Sequence, residues 1–149
     1  EVNPYAFEPP IAPHIAAREA GVRIGLDVIR EGMLRLASVS DAVCVEGVGG
    51  WLVPLNGRET VADLAVSLGL GVVLVVGMRL GCLNHALLSA RAIEADGARL
   101  AGWVANCMPP AADYLDENIN TLKSMINAPL LGVVPAAAGS ASGCETWPR

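Results

Sequence analysis

Apolar positions change their period several times along this chain, and each change marks an expected element. From Gly25 to Ala37, Leu26, Ile29, Met33, Leu34 and Leu36 recur every three or four positions, with Asp27, Arg30, Glu31 and Arg35 on the other face. That spacing predicts an amphipathic helix. Asp41-Ala42-Val43-Cys44-Val45-Glu46 reads instead as a short buried strand ending in a carboxylate, and Gly47-Val48-Gly49-Gly50 as a sharply turning loop. Thr60 with Asp63 three positions on forms a capping box in its broader form, opening a helix that runs to Leu68. Val72-Val73-Leu74-Val75-Val76, enclosed by Gly71 and Gly77, lacks polar alternation, as a central parallel strand does.

After a loop from Met78 to Leu83, the stretch Asn84 to Asp96 keeps helical spacing through Leu87, Leu88, Ala92 and Ile93 and stops at Gly97. Leu100 to Asn106 is expected to form a third strand. A helix from Tyr114 to Ile126 follows the Pro109-Pro110 break, and Leu130 to Val134 makes a fourth strand closed by Pro135. The four prolines between Asn3 and Pro13 forbid a regular helix there. Strands alternating with helices imply a layered α/β fold, a mostly parallel sheet with right-handed crossovers and helices on both faces. Residues 1–135 form one such unit, and 136–149, small and polar and then without periodicity, form a loose tail.

Composition narrows the class. The chain has 149 residues, room for one ordinary domain, of which 53% are hydrophobic, 17% charged and 4% aromatic. A mean hydropathy of +0.47 raises the question of a membrane span. The Val72–Val76 run ends at a glycine on either side, far short of the roughly 18 apolar residues a span needs, so no membrane partner is expected. The formal charge of −5, without a Lys/Arg cluster, argues against nucleic acid as a partner. Cys44, Cys82, Cys107 and Cys144 form no CxxC pair and no zinc pattern, which reads as reduced thiols. The opening has neither an initiator Met nor a signal-peptide pattern, so a cytoplasmic chain cut at its start is expected.

The unusual residues gather where expected strands end: Glu46 to Gly50, Gly77 to His85 and Asn106 to Pro110. Open α/β sheets bind ligands outside the carboxyl ends of their strands. Glu46 can hold a Mg²⁺ that bridges phosphate oxygens, with glycine amides close to the anion, or it can be a solvated acid at a strand edge. The segment Gly81 to His85 enters a helix whose free N–H groups favour an anion, with Asn84 or His85 adding side-chain hydrogen bonds. The plainer alternative makes Asn84 an N-cap and His85 a surface residue. Asn106 can present its amide to a base edge, since it donates and accepts at once, or it can make a turn. Cys82 and Cys107 read as buried fillers, with no base pattern to activate them. Two distant histidines and no GxSxG motif argue against a Ser-His-Asp hydrolase.

Three runs carry a resemblance: Val45-Glu46-Gly47-Val48-Gly49-Gly50-Trp51, then Val75-Val76-Gly77-Met78-Arg79-Leu80-Gly81-Cys82-Leu83-Asn84-His85-Ala86, then Ala101-Gly102-Trp103-Val104-Ala105-Asn106. Together they resemble the ATP-dependent dethiobiotin synthetases of biotin biosynthesis, members of the P-loop NTPase superfamily. Asn3-Pro4-Tyr5-Ala6-Phe7, Pro13-His14 and Pro129 to Pro135 are similar too. The resemblance implies a homodimeric, Mg²⁺-dependent ligase that makes dethiobiotin from 7,8-diaminononanoate, CO₂ and ATP. A substrate amine becomes a carbamate, the carbamate takes the γ-phosphoryl group as a carbamic-phosphoric anhydride, and the second amine closes the ring with loss of phosphate.

By motif, Glu46 resembles the Mg²⁺ ligand, and Gly49 and Gly50 line the reacting centre beside it. Asn106 and Pro135 resemble nucleotide-binding positions. Gly81, Cys82, Leu83 and Asn84, with Tyr114, resemble the surface that takes the substrate carboxylate across a dimer interface. The family opens with a strand and a GxxxxGK[ST] loop, whereas this sequence has no lysine but Lys123. The resemblance therefore implies a C-terminal part lacking the opening strand and P-loop, about 60 to 80 residues of βαβ-sized stretch, and inactive alone in phosphoryl transfer. The tail after Pro135 also departs from the family pattern. The rivals are another P-loop ATPase of cobyrinate or partitioning type, which would not share Gly81 to His85, and a non-catalytic dimerisation or binding module.

Overall fold

A computed structural model describes residues 2–109 and 113–136. Of the expected elements, Pro110 and the tail from residue 137 lie outside the described residues. Two units divide the chain.

The first unit takes in residues up to Gly71 together with Ala92–Arg99. Its first helix, α1 (Pro13–Glu19), starts on the last of the early prolines. A first-turn proline forfeits no intrahelical hydrogen bond and its fixed φ suits the helix, so the residue read as a breaker is a starter. The second helix, α2 (Leu26–Ala37), falls where the apolar period puts it. Leu26 and Ile29 pack with Tyr5 and Phe7 against Ala17, Ile24, Leu55, Val61 and Leu64. Tyr5 Oη accepts a hydrogen bond from the Gly25 N–H at 3.0 Å, which ties the proline-rich opening to the start of α2.

The third helix, α3 (Val61–Leu68), carries the expected capping box with both reciprocal bonds. The Thr60 N–H donates to Asp63 Oδ2 at 2.7 Å, and the Asp63 N–H donates to Thr60 Oγ1 at 3.4 Å. These bonds to the ionised form hold the Asp63 carboxyl below its ordinary value, the Thr60 backbone N–H contributing most. Asp41 to Glu46, expected as a strand, is not one. A strand is defined by its ladder, and among the described residues no strand pairs with this segment.

The second unit is built on a parallel sheet of β1 (Val72–Met78), β2 (Leu100–Cys107) and β3 (Leu130–Val134) in that spatial order. The strand expected at the centre, Val72–Val76, therefore lies at an edge of this sheet, and β2 is central. Trp103 and Ala105 of β2 are fully buried. The helices α4 (Cys82–Ala95) and α5 (Leu115–Met125) supply Cys82, Ala86, Ala90, Ile119 and Leu122 to a core with Val76, Met78, Trp103 and Ala105. On the alternate positions of β1, Val73 and Val75 are exposed. The helix α4 begins two residues before the expected start because Cys82 turns into this core. Asn84 consequently sits inside the first turn and is no N-cap.

Candidate functional site

Parallel strands that start together end together, so residues following them converge on one edge of the sheet. In the second unit Gly77 pairs in register with Asn106, and Asn106 with Val134. Pro135 leaves β3 at that same level, so the expected nucleotide positions Asn106 and Pro135 sit on neighbouring strand ends. The Asn106 side chain is half-buried. A Cβ at Gly77 would stand 3.2 Å from Met108 Sδ, so glycine lets the Met108 side chain lie against the end of β1.

From the end of β1 the chain turns at Gly81, whose φ of +93° lies in the region that favours glycine, and enters α4. The Cys82 N–H is already used, donating to the Arg79 carbonyl at 2.9 Å, and its thiol is buried. The Leu83 and Asn84 N–H groups have no backbone acceptor among the described residues. No acidic residue lies in that first turn to balance the positive end of the 14-residue helix. Unbonded first-turn amides and an uncompensated helix dipole are features that attract an anion. His85 is exposed, and its N–H donates to the Gly81 carbonyl at 3.2 Å. Tyr114 is 76% exposed with a φ of +55° at the N-cap of α5, so its ring projects freely.

The remaining candidates belong to the first unit. Glu46 is exposed at the head of the glycine turn. The Gly50 N–H donates to the Val48 carbonyl at 2.8 Å, closing a tight turn in which Gly49 has φ +72° and Gly50 φ +155°. A Cβ at Gly49 would come within 3.0 Å of Val53 Cγ2, so both conformation and space require glycine there. Among the described residues no three His, Cys, Asp or Glu side chains gather as a metal cage. The exposed Glu46 carboxylate is the kind of hard oxygen ligand of which Mg²⁺ takes one or two, completing its shell with water and phosphate oxygens.

The structure thus brings Asn106, Pro135 and the α4 start to one edge of the second unit, and Glu46, Gly49 and Gly50 to one turn of the first. Two sets of contacts in the first unit carry no signal in the sequence. The Trp51 indole Nε1 donates to Asp96 Oδ2 at 2.7 Å across 45 positions, a separation no periodicity signals. The Asn56 side chain donates to the Ile24 carbonyl at 3.0 Å and accepts from the Arg58 and Glu59 N–H groups. Among the described residues no helix is long and apolar enough to cross a membrane.

Residues 1–142 match the family model described as AAA domain, a P-loop class whose α/β architecture agrees with the parallel sheet. The chain is 59% identical over 142 residues to the ATP-dependent dethiobiotin synthetase BioD of Pseudomonas paraeruginosa, covering 93% of this chain and 61% of that protein. It is 54% identical over 134 residues to the synthetase of the same name from Nitrosospira multiformis, covering 90% and 59%. Against that of Chromohalobacter salexigens it is 49% identical over 148 residues, covering 93% and 62%. The chain therefore spans about 60% of the length of the curated relatives it matches.

Proposed function

This chain belongs to the AAA domain family, and we propose that it supplies the base-binding, substrate-binding and Mg²⁺-ligating residues of an ATP-dependent dethiobiotin synthetase. The observation that carries this reading is the convergence of Asn106, Pro135 and the open start of α4 at one sheet edge, in a chain 59% identical to a protein of that name. The substrates are ATP, CO₂ and 7,8-diaminononanoate, the protein is a cytoplasmic homodimer, and the phosphate-gripping loop belongs to the part of the relatives' length outside this chain.

Each residue has a role its setting supports. The Asn106 amide, half-buried at a strand end, pairs with a base edge by donating and accepting together, and Pro135 beside it walls the base. The Leu83 and Asn84 N–H groups take the substrate carboxylate, aided by the positive end of α4. Gly81 lets the chain turn into that helix, and buried Cys82 fixes its first turn to the core. The exposed Tyr114 phenol donates a further hydrogen bond to the carboxylate. Glu46 would hold Mg²⁺, which when bound neutralises charge on the phosphates. The Gly49 N–H would take an oxygen of the reacting phosphate, and Gly50, its own N–H bonded to the Val48 carbonyl, closes the turn with no side chain in the way. These contributions are positioning and charge complementarity, which suffice when the covalent chemistry lies in ATP and the diamine.

The reading is tested by Asn106→Ala in a polypeptide of family length that carries this sequence. Losing a donor–acceptor pair of about 1 to 2 kcal/mol raises KM for ATP about tenfold and leaves KM for 7,8-diaminononanoate within about twofold. An unchanged KM for ATP would remove Asn106 from the nucleotide site.

A further inference from the structure

Trp51 follows the double glycine directly, and two separate elements hold it. Its carbonyl accepts from the Ala62 N–H at 2.8 Å, in the first turn of α3. Its indole Nε1 donates to Asp96 Oδ2 at 2.7 Å, the length of a charge-assisted bond. Asp96 follows the last residue of α4 and makes no ion pair among the described residues, so the indole is its partner. On the other side of Trp51, the Val53 N–H donates to the Gly50 carbonyl at 3.3 Å, and the Val53 carbonyl accepts from Val61 at 2.9 Å. Gly49 and Gly50 immediately precede these anchors, and their own torsions restrain them least of any residue type. Their conformation is set by where Trp51 is placed.

We propose that Asp96 is a positioning residue, acting through the Trp51 indole to keep the Gly49–Gly50 turn in the one conformation that closes on the Val48 carbonyl and presents the Gly49 amide. The inference rests on the reading that this turn lines the reacting centre. Asp96 itself touches neither the turn nor a substrate. Its carboxylate fixes the rotation of the indole, the indole fixes the Trp51 backbone, and the backbone fixes the direction in which Gly50 leaves the turn. Loss of the carboxylate frees the indole while α3 and its capping box remain.

The test is amide hydrogen exchange, read residue by residue by NMR on the ¹⁵N-labelled chain, which needs neither nucleotide nor metal. A failure there leaves the Glu46 and Asn106 readings standing. In Asp96→Ala the Gly50 and Val53 amides exchange about three- to tenfold faster, while Leu64 in α3 and Ala105 in β2 stay within about twofold. Trp51→Phe, which keeps the ring and removes the donor, gives the same localised pattern. Asp96→Asn, which keeps an acceptor oxygen, remains within about threefold of the unaltered chain. Unchanged exchange at Gly50 and Val53 in Asp96→Ala and Trp51→Phe overturns the proposal, and so does acceleration that runs evenly through α3. The unaltered chain gives a check that needs no variant: its Trp51 indole N–H exchanges at least about tenfold slower than a free indole. Exchange at the free rate overturns the proposal as well.

Discussion

Replacing Gly49 by alanine places a side chain where the structure refuses one on two independent counts. The backbone φ of +72° lies in the left-handed region, where a Cβ costs about 1 to 2 kcal/mol. The same Cβ would stand 3.0 Å from Val53 Cγ2, closer than ordinary van der Waals contact, and Val53 is held at both its N–H and its carbonyl. A strained contact that cannot relax freely adds about 1 kcal/mol. The sum, about 2 to 3 kcal/mol, corresponds to roughly 30- to 150-fold faster exchange at amides whose protection depends on this turn. The assay is native-state hydrogen exchange at Val61 and Ala62, whose N–H groups bond the Val53 and Trp51 carbonyls. A double-mutant cycle with Val53→Ala separates the two costs, since removing the valine methyls relieves the contact and leaves the torsional cost. The coupling expected from the cycle is about 1 kcal/mol. Gly49→Ala exchanging like the unaltered chain would refute the torsional argument, and a coupling near zero would refute the steric one.

Other expected outcomes follow from single contacts. The lowered Asp63 pKa makes the capping box pH-dependent: its contribution is whole above about pH 3.9, the unfolded value, and is lost as pH falls below that and through the folded value. An acid titration of α3 amide exchange should show that loss in the unaltered chain and not in Asp63→Asn. Leu122→Ala empties a fully buried position between α5 and β2 and should cost about 2 to 5 kcal/mol, read as a lower urea midpoint for protection of the β2 amides.

The elements legible in the sequence are those whose causes are local. Thr60 and Asp63 announce the start of α3 because a capping box closes within four residues. Gly97, at φ +80°, ends the α4 stretch for an equally local reason. The three paired strands are legible as apolar runs, and alternation with helices locates the neighbouring strand ends that carry Asn106 and Pro135. What the chain hides depends on distant partners. Asp41 to Glu46 has the composition of a strand, but pairing is a property of two segments, and no pairing partner lies among the described residues. The edge position of β1 is invisible for the same reason. Pro13 conceals the start of α1 because the same ring that breaks a helix interior suits a helix start. The two-residue error at α4 comes from Cys82, whose burial depends on the sheet behind it. The Trp51–Asp96 bond joins positions that only the folded chain brings together.

The most direct measurement is dethiobiotin formation by a polypeptide of family length carrying this sequence, supplied with ATP, Mg²⁺, bicarbonate and 7,8-diaminononanoate, and compared with its Glu46→Gln variant. ADP and phosphate should be released in step with dethiobiotin, with no ATP turnover without the diamine and a loss in Glu46→Gln of about 100-fold or more, as expected when several kcal/mol of charge neutralisation go. ATP hydrolysis that proceeds equally well without 7,8-diaminononanoate, or a Glu46→Gln variant that makes dethiobiotin at the unaltered rate, would contradict the proposed function.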